Sequence, residues 1–367
     1  MMASRSMVAM LAGALAIACA GSGMSASHAM AHASLEHAAV QPAQAASRAS
    51  ASPWWLAFES ETLNTLVAEA SSSAASPARL DLPAAEVRVS AAYVGLLVQT
   101  LSLTYIDSAR AAARRQSELI AASPAPHDDF GKELKQREAG ATASMKKIDA
   151  QREAQLAFLA ARSNLPREKL RGAIADEVAA RKQPRFALPL PQAVPAVLLA
   201  NRDDIQLAAA LYGIDPQASL GGTIDAAEED PGEGSQEAAA DLPGYPLFPD
   251  AVAQGRAEVA QALRKLRATS AAAADASRRA GEARALFEQS KTLMSRKEMS
   301  EVQVLEDYQA LMLDLQRLAV SNGNLAIAWI GLMASLGSRT PVVLHATQVP
   351  AAAGFRERPR LAGAFSF

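Results

Sequence analysis

Residues 299–337 read MSEVQVLEDYQALMLDLQRLAVSNGNLAIAWIGLMASLG. Three adjacent rows recur there every seventh position and are apolar but for one asparagine. They are Val304, Leu311, Leu318, Leu325 and Leu332; Leu305, Met312, Ala319, Ala326 and Met333; and Tyr308, Leu315, Asn322, Trp329 and Leu336. Three neighbouring heptad positions held apolar over that length predict a long helix with one wide sticky face. The strict period of seven asks for left-handed supercoiling against other helices, and Gly337 supplies the stop signal.

Working outward, a charged turn, Ser295-Arg296-Lys297-Glu298, precedes this helix. Before it, residues 251–295 predict a second long helix, with Val252, Val259, Leu266, Ala273, Ala280, Phe287 and Met294 one heptad apart. The same organisation occurs earlier. Helix propensity resumes at Ala84, with Val87, Val94 and Leu101 in one row and Ala91, Val98, Tyr105 and Ala112 beside it. The prolines in 123–126 break that helix. A charged helix follows from about Asp128, with a turn expected near Gly140 and a last piece over 143–164. The chain therefore carries one pattern twice: short helix, breaker, long heptad helix, turn, returning helix. Two long antiparallel hairpins packed on one another are expected.

Between these lie smaller pieces. Trp54-Trp55-Leu56-Ala57-Phe58 begins the ordered chain, and 61–70 forms a short amphipathic helix with Leu63, Leu66, Val67 and Ala70 on one side. Paired tryptophans suit local core packing or a membrane interface. Residues 71–83 read as a breaker. The proline-rich stretch 188–195 reads as an extended linker, and 197–205 as a helix start with Asn201 or Asp203 as N-cap. Residues 219–224 and 245–248 are short strand candidates, flanking an acidic loop over 225–241.

A chain of 367 residues has room for two domains or one extended one. The formal charge of -2 implies no bulk attraction to nucleic acid. Aromatics are only 5% of residues, which favours slender helical packing over a thick globular core. One cysteine excludes an intrachain disulfide framework and a cysteine metal cage. His28, His32 and His37 read as linker residues rather than metal ligands. No nucleophile–base pairing has sequence support, so neither enzymatic chemistry, a metal nor a cofactor is expected.

The N-terminus reads as an export signal: Arg5, an apolar run over 7–18, then small residues. Cys19 closes that run in a context similar to a bacterial lipoprotein cleavage box, where the cysteine becomes the lipidated first residue. The other reading is an ordinary signal peptide, cleaved after Ala29. Residues 21–52 read as a flexible leader, and no later stretch reaches the uninterrupted apolar length of a transmembrane helix.

Several of these segments together resemble the TolC-like outer-membrane factors, in particular the lipoprotein branch serving RND-type efflux pumps. The resemblance rests on Cys19, on Trp54-Trp55-Leu56-Ala57-Phe58, and on Leu63-Asn64-Thr65-Leu66-Val67. It rests also on Leu198-Leu199-Ala200-Asn201-Arg202-Asp203-Asp204-Ile205, where Asp203 replaces the family's proline, and on the closing helix from Val304-Leu305 to Ser335-Leu336-Gly337. It implies a mainly α fold of long antiparallel heptad-patterned hairpins in two repeats, with at most a short residual β-hairpin. Most of the family's barrel strands are missing. Implied partners are a periplasmic adaptor, an inner-membrane pump and two further copies in a trimer, at the outer membrane. The implied role is a passive conduit or channel-associated subunit of an efflux or type I-like export system. The rival is a non-conducting structural or regulatory protein that binds channel or adaptor subunits. Adaptor docking is implied at the hairpin tips: Arg137, Gly140 and Ser144 at the first, Arg296 and Ser300 at the second, where the family's glycine is replaced by Lys297 or Glu298. The expected division is leader (1–33), flexible segment and short helix (34–83), first hairpin repeat and linker (84–195), second repeat (196–337) and unstructured tail (338–367).

Overall fold

The computed structural model describes residues 53–73, 82–122, 128–180, 190–226 and 247–337. The leader with Cys19, the 123–126 break, most of the acidic loop and the tail lie outside the described residues. Eight α-helices and two short strands are described. They are α1 (Glu61–Ser73), α2 (Leu82–Ala121), α3 (Asp128–Ser163), α4 (Arg167–Ala179), β1 (Ala193–Pro195), α5 (Asp203–Tyr212), α6 (Pro216–Ser219), β2 (Thr223–Asp225), α7 (Leu247–Ser295) and α8 (Glu301–Ser335). Single 3-10 turns cover Trp54–Phe58 and Ala196–Asn201.

Helix α8 is the stretch read first from the sequence, and its rows behave as the heptad pattern requires. Val304, Leu311 and Leu332 are buried, as are Leu305, Met312, Ala319, Ala326 and Met333. The third row is half-buried at Tyr308, Leu315 and Asn322, and buried at Trp329 and Leu336. Ser300 caps the helix in a reciprocal capping box with Gln303. At the other end Gly337 takes a left-handed φ of 77°, with its missing Cβ position only 2.5 Å from the Asn201 carbonyl oxygen. A side chain there would meet both backbone strain and a backbone clash.

The four long helices form a row in the order α3–α2–α8–α7. Helix α8 packs along both α7 and α2, and α2 packs also along α3. Helices α3 and α7 make no extensive contact with each other among the described residues. They are the two edges of an open layer, not opposite corners of a closed bundle. Neighbours run antiparallel: Arg114 meets Glu138 across α2–α3, Gln116 meets Gln309 across α2–α8, and Phe287 meets Tyr308 across α7–α8. Phe287, Val304, Leu311 and Met312, with Tyr105 of α2 against them, form the apolar joint between α2, α8 and α7.

At the end away from the hairpin turns, shorter elements cover this layer. Helix α1 packs on α2 and α3, burying Leu63, Leu66, Val67 and Ala70 as its apolar face predicts. Helix α5 packs on α7, where Gly255 lets Ile205 and Leu199 approach. The strands β1 and β2 pair antiparallel, Val194 opposite Ile224.

Five sequence expectations are corrected. The breaker over 71–83 is shorter, because residues 71–73 continue α1 and Leu82 already starts α2. No turn interrupts α3 near Gly140, since one glycine in a helix of strong formers costs only about 1 kcal/mol. The expected strand at 245–248 is instead the first turn of α7 in its described part. The partner of Ile224 is Val194 of the proline-rich linker, so the two strands are a non-local pair and not a hairpin. Finally, Arg202, not Asn201 or Asp203, is the N-cap of α5, leaving Asp203 and Asp204 in its first turn, where acid is favoured by the positive end of the helix dipole.

Candidate functional site

The second hairpin turn, 296–300, joins α7 to α8. Helix α7 ends in two reversed hydrogen bonds, Glu298 N–H to the Leu293 carbonyl at 3.0 Å and Lys297 N–H to the Met294 carbonyl at 2.9 Å. That pair defines a Schellman turn. Its left-handed residue is Lys297, with φ 62°. The absence of glycine at this tip therefore adds a side chain and leaves the turn unchanged; the backbone keeps the conformation that glycine normally supplies. Arg296, Lys297, Glu298 and Ser300 all face solvent.

This turn is fastened to the end of the first hairpin. The Arg115 guanidinium donates to Glu301 at 3.0 Å. Gln116, fully buried, donates its amide N–H to the Val302 carbonyl at 3.0 Å and accepts one from Gln309 at 2.9 Å. Ser290 of α7 donates to Asp307 of α8 just above the turn. The chain reversals of both hairpins therefore lie at the same end of the layer, and polar links hold that end together.

Of the residues expected at docking tips, the structure brings only Arg296 and Ser300 to one. Arg137, Gly140 and Ser144 lie inside the continuous helix α3. Arg137 pairs with Glu133 one turn away at 2.7 Å, and the neighbouring Glu138 pairs with Arg114 of α2 at 2.5 Å. The first is an ordinary pair along one helix face and the second an exposed pair between two helices, so neither marks a turn. The chain reverses between Ala121 and Asp128 instead, where the proline break was read.

Two buried polar joints lie at the opposite end. Ser60, Tyr93 and Glu177 tie α1, α2 and α4 together: Ser60 donates to Glu177 Oε1 at 2.9 Å, and the Tyr93 hydroxyl donates to the other carboxylate oxygen. Burial, reinforced by the Glu177 carboxylate, pushes the Tyr93 hydroxyl well above the usual phenol range. Ser60 also accepts the Leu63 N–H at 3.1 Å, so its hydroxyl is spent as a helix cap and is no free nucleophile. The second joint is Arg202. It forks onto Asp204 at 3.0 and 2.7 Å and reaches Glu258 at 2.7 Å and the Ser335 carbonyl at 2.9 Å. Burial raises the Asp204 carboxyl, but the Arg202 fork and the Ile205 N–H outweigh it, so the group sits below its ordinary value. This one guanidinium joins the start of α5 to α7 and to the end of α8. Among the described residues no group of three His, Cys, Asp or Glu side chains is placed to hold a metal ion.

Protein-family models and curated proteins give no match to this chain. Solved structures do. The chain is similar to CusC, whose structures concern folding and transmembrane channel formation, at 12% identity over 77% of this chain and 99% of that one, with a TM-score of 0.58. It is also similar to the outer-membrane channel OprN, at 16% identity over 84% and 98% of the two chains with a TM-score of 0.48. A third is the open state of the Neisseria gonorrhoeae MtrE outer-membrane channel, at 15% identity over 75% and 71%, with a TM-score of 0.47. The fold of the helical body is that of CusC. The resemblance to TolC-like outer-membrane factors read from the sequence is met at the level of fold.

Proposed function

We propose that the chain is a helical component of an outer-membrane efflux or export assembly, working by enclosing or organising a path and not by catalysis. The observation that carries this reading is the open layer α3–α2–α8–α7. Each edge helix packs on only one other long helix among the described residues, and such a layer closes by joining α3 of one copy to α7 of the next. Three copies would give a ring of twelve long helices. The turn end of such a ring presents Arg296 and Ser300 to solvent and is the docking end for a periplasmic adaptor, with an inner-membrane pump supplying the energy. The Cys19 thiol is the site of lipid attachment if the leader is cleaved before it.

Two roles suit such a ring: a passive conduit, or a channel-associated subunit that conducts nothing. Cysteines at one height on the two edges, Lys146→Cys on α3 and Glu282→Cys on α7, test the ring itself. Oxidation is expected to give a covalent ladder that stops at three copies. A product that stays monomeric at every oxidant level refutes the edge-to-edge assembly.

A further inference from the structure

We infer that helix α5 rests on the surface of a zwitterionic bilayer, with Leu207 and Leu211 inserted at the level of the lipid headgroups. This rests on the outer-membrane reading above and gives it a point of contact with lipid. Beyond Asp203, Asp204 and Gln206, α5 is apolar on every side. Half of it is covered by protein: Ile205, Ala208 and Ala209 are buried, with Ile205 against Gly255 of α7. The other half, Leu207, Ala210 and Leu211, faces solvent. A short helix that is apolar all round calls for cover on both sides.

Single exposed leucines are common on protein surfaces and need no occupant. These two differ in degree and in placement. At 64% and 61% exposed they are the most exposed large apolar side chains among the described residues. They stand one helical turn apart on the same face, with Ala210 beside them. The exposure does not come from a loose helix. Arg202 fastens the start of α5 through Asp204, Glu258 and the Ser335 carbonyl. A Schellman turn closes its end, where the Ile214 N–H donates to the Ala209 carbonyl at 3.0 Å and Gly213 takes a φ of 66°. The leucines are thus presented to solvent by a rigid frame.

Place, length and charge make lipid the occupant. Gly255, on which α5 sits, lies about 40 residues of α7, or about 60 Å, from the turn at 296–300. With the adaptor at the turn end, α5 is at the membrane end. Leu56, Val197 and Leu247 belong to that end too, so five of the seven exposed large apolar side chains gather there. At ten residues, α5 is about 15 Å long, half the thickness of a hydrocarbon core, so it can lie in the interface but cannot cross. Asp203 precedes the leucines and Asp215 follows them, Asp204 is held by Arg202, and 203–225 contains no lysine or arginine. Acids without bases suit the ammonium groups of phosphatidylethanolamine and oppose an anionic surface. Tyr212, half-buried next to Leu211, is of a type that settles at headgroup level.

The test uses the full chain with Cys19→Ser, so that one introduced cysteine carries a polarity-sensitive fluorophore. The cysteine is Ala210→Cys between the leucines or, as a control, Glu298→Cys in the distant turn. Each chain is floated with vesicles of phosphatidylethanolamine and phosphatidylcholine, with and without a nitroxide-bearing lipid. The probe at 210 is expected to shift to the blue and be quenched, and the probe at 298 to do neither. Leu207→Ser should weaken the vesicle partition read at 210 about tenfold, the worth of one leucine of this exposure. Vesicles of phosphatidylglycerol should quench the probe less. A chain that does not float, or that floats with position 210 unquenched, overturns the inference. So does a blue shift that the nitroxide lipid does not reach, since protein would then cover α5, and so does stronger quenching on phosphatidylglycerol. The edge cross-links Lys146→Cys and Glu282→Cys are read alongside. A trimer ladder with position 210 unquenched refutes the lipid contact and leaves the ring, whereas quenching without a ladder refutes the ring and leaves the contact.

Discussion

Gly323 of α8 lies directly against Val98 of α2, and replacing it with alanine should destabilise the protein although alanine is the better helix former. A Cβ at that position would lie inside any real contact distance of the Val98 Cγ2 methyl. Val98 is only 3% exposed and β-branched, so it has no room and little rotameric freedom to yield. Overpacking of this kind costs about 1–3 kcal/mol, against a gain of about 1 kcal/mol in helix propensity. The net expectation for Gly323→Ala is a loss of about 1 kcal/mol. Gly331 lies two turns further along the same helix with nothing near its Cβ position. Gly331→Ala should therefore show the propensity term alone, a gain of about 1 kcal/mol. The two substitutions share chemistry and helix, and differ only in the neighbour. Urea titrations followed by circular dichroism, at one protein concentration so that assembly is held fixed, should separate the two midpoints in opposite directions from wild type. In a Val98→Ala background, Gly323→Ala should turn from a loss into a gain, because the two positions are coupled. Gly323→Ala that stabilises as much as Gly331→Ala in the wild-type background would refute the packing of α2 on α8.

Four further outcomes follow from the joints. Lys297→Gly should raise stability by about 1 kcal/mol, because the left-handed conformation costs a non-glycine residue that much; an unchanged or lower denaturation midpoint would contradict the Schellman turn. Gln116→Leu alone should cost about 1–3 kcal/mol by stranding the Gln309 amide, and Gln116→Leu with Gln309→Leu should recover most of it; equal losses in the single and double variants would refute the pairing. Arg202→Lys should cost about 2 kcal/mol, since an ammonium cannot reproduce the fork onto Asp204 while reaching Glu258 and the Ser335 carbonyl. Its acid partners are 46% and 40% exposed, which limits the loss. For Tyr93 the folded hydroxyl titrates above its unfolded value of about 10, so its contribution is intact below that pH and is lost as pH rises past it. Wild type should lose up to about 1.4 kcal/mol per pH unit more steeply than Tyr93→Phe above pH 10, and identical slopes would show that the hydroxyl is not buried.

The parts of this fold that were legible in the sequence are those where burial and apolarity coincide. The rows through Leu311 and Met312 of α8 stand out because they pack into an apolar joint with Phe287 and Val304. One row escaped for the opposite reason. Val302, Gln309, Gln316, Gly323 and Ile330 share a heptad position, and this row faces α2, yet two glutamines and a glycine hide it from a hydrophobic period. Gln309 is nonetheless buried because Gln116 satisfies it, and Gly323 because Val98 needs the space. At the turns, residue type is a poor guide to conformation. Gly140 suggested a reversal, but nothing approaches its backbone and its helix runs on; Lys297 suggested that a glycine turn had been lost, while the left-handed conformation is kept. What sequence could not reach at all is neighbour order. A heptad stripe says that a helix must be covered, not by which helix, so the row α3–α2–α8–α7 and its two open edges needed coordinates. Those edges matter more to function than the well-predicted core. A core that was read correctly fits a closed bundle as well as a ring, whereas the two edges of an open layer are what the proposed ring would join.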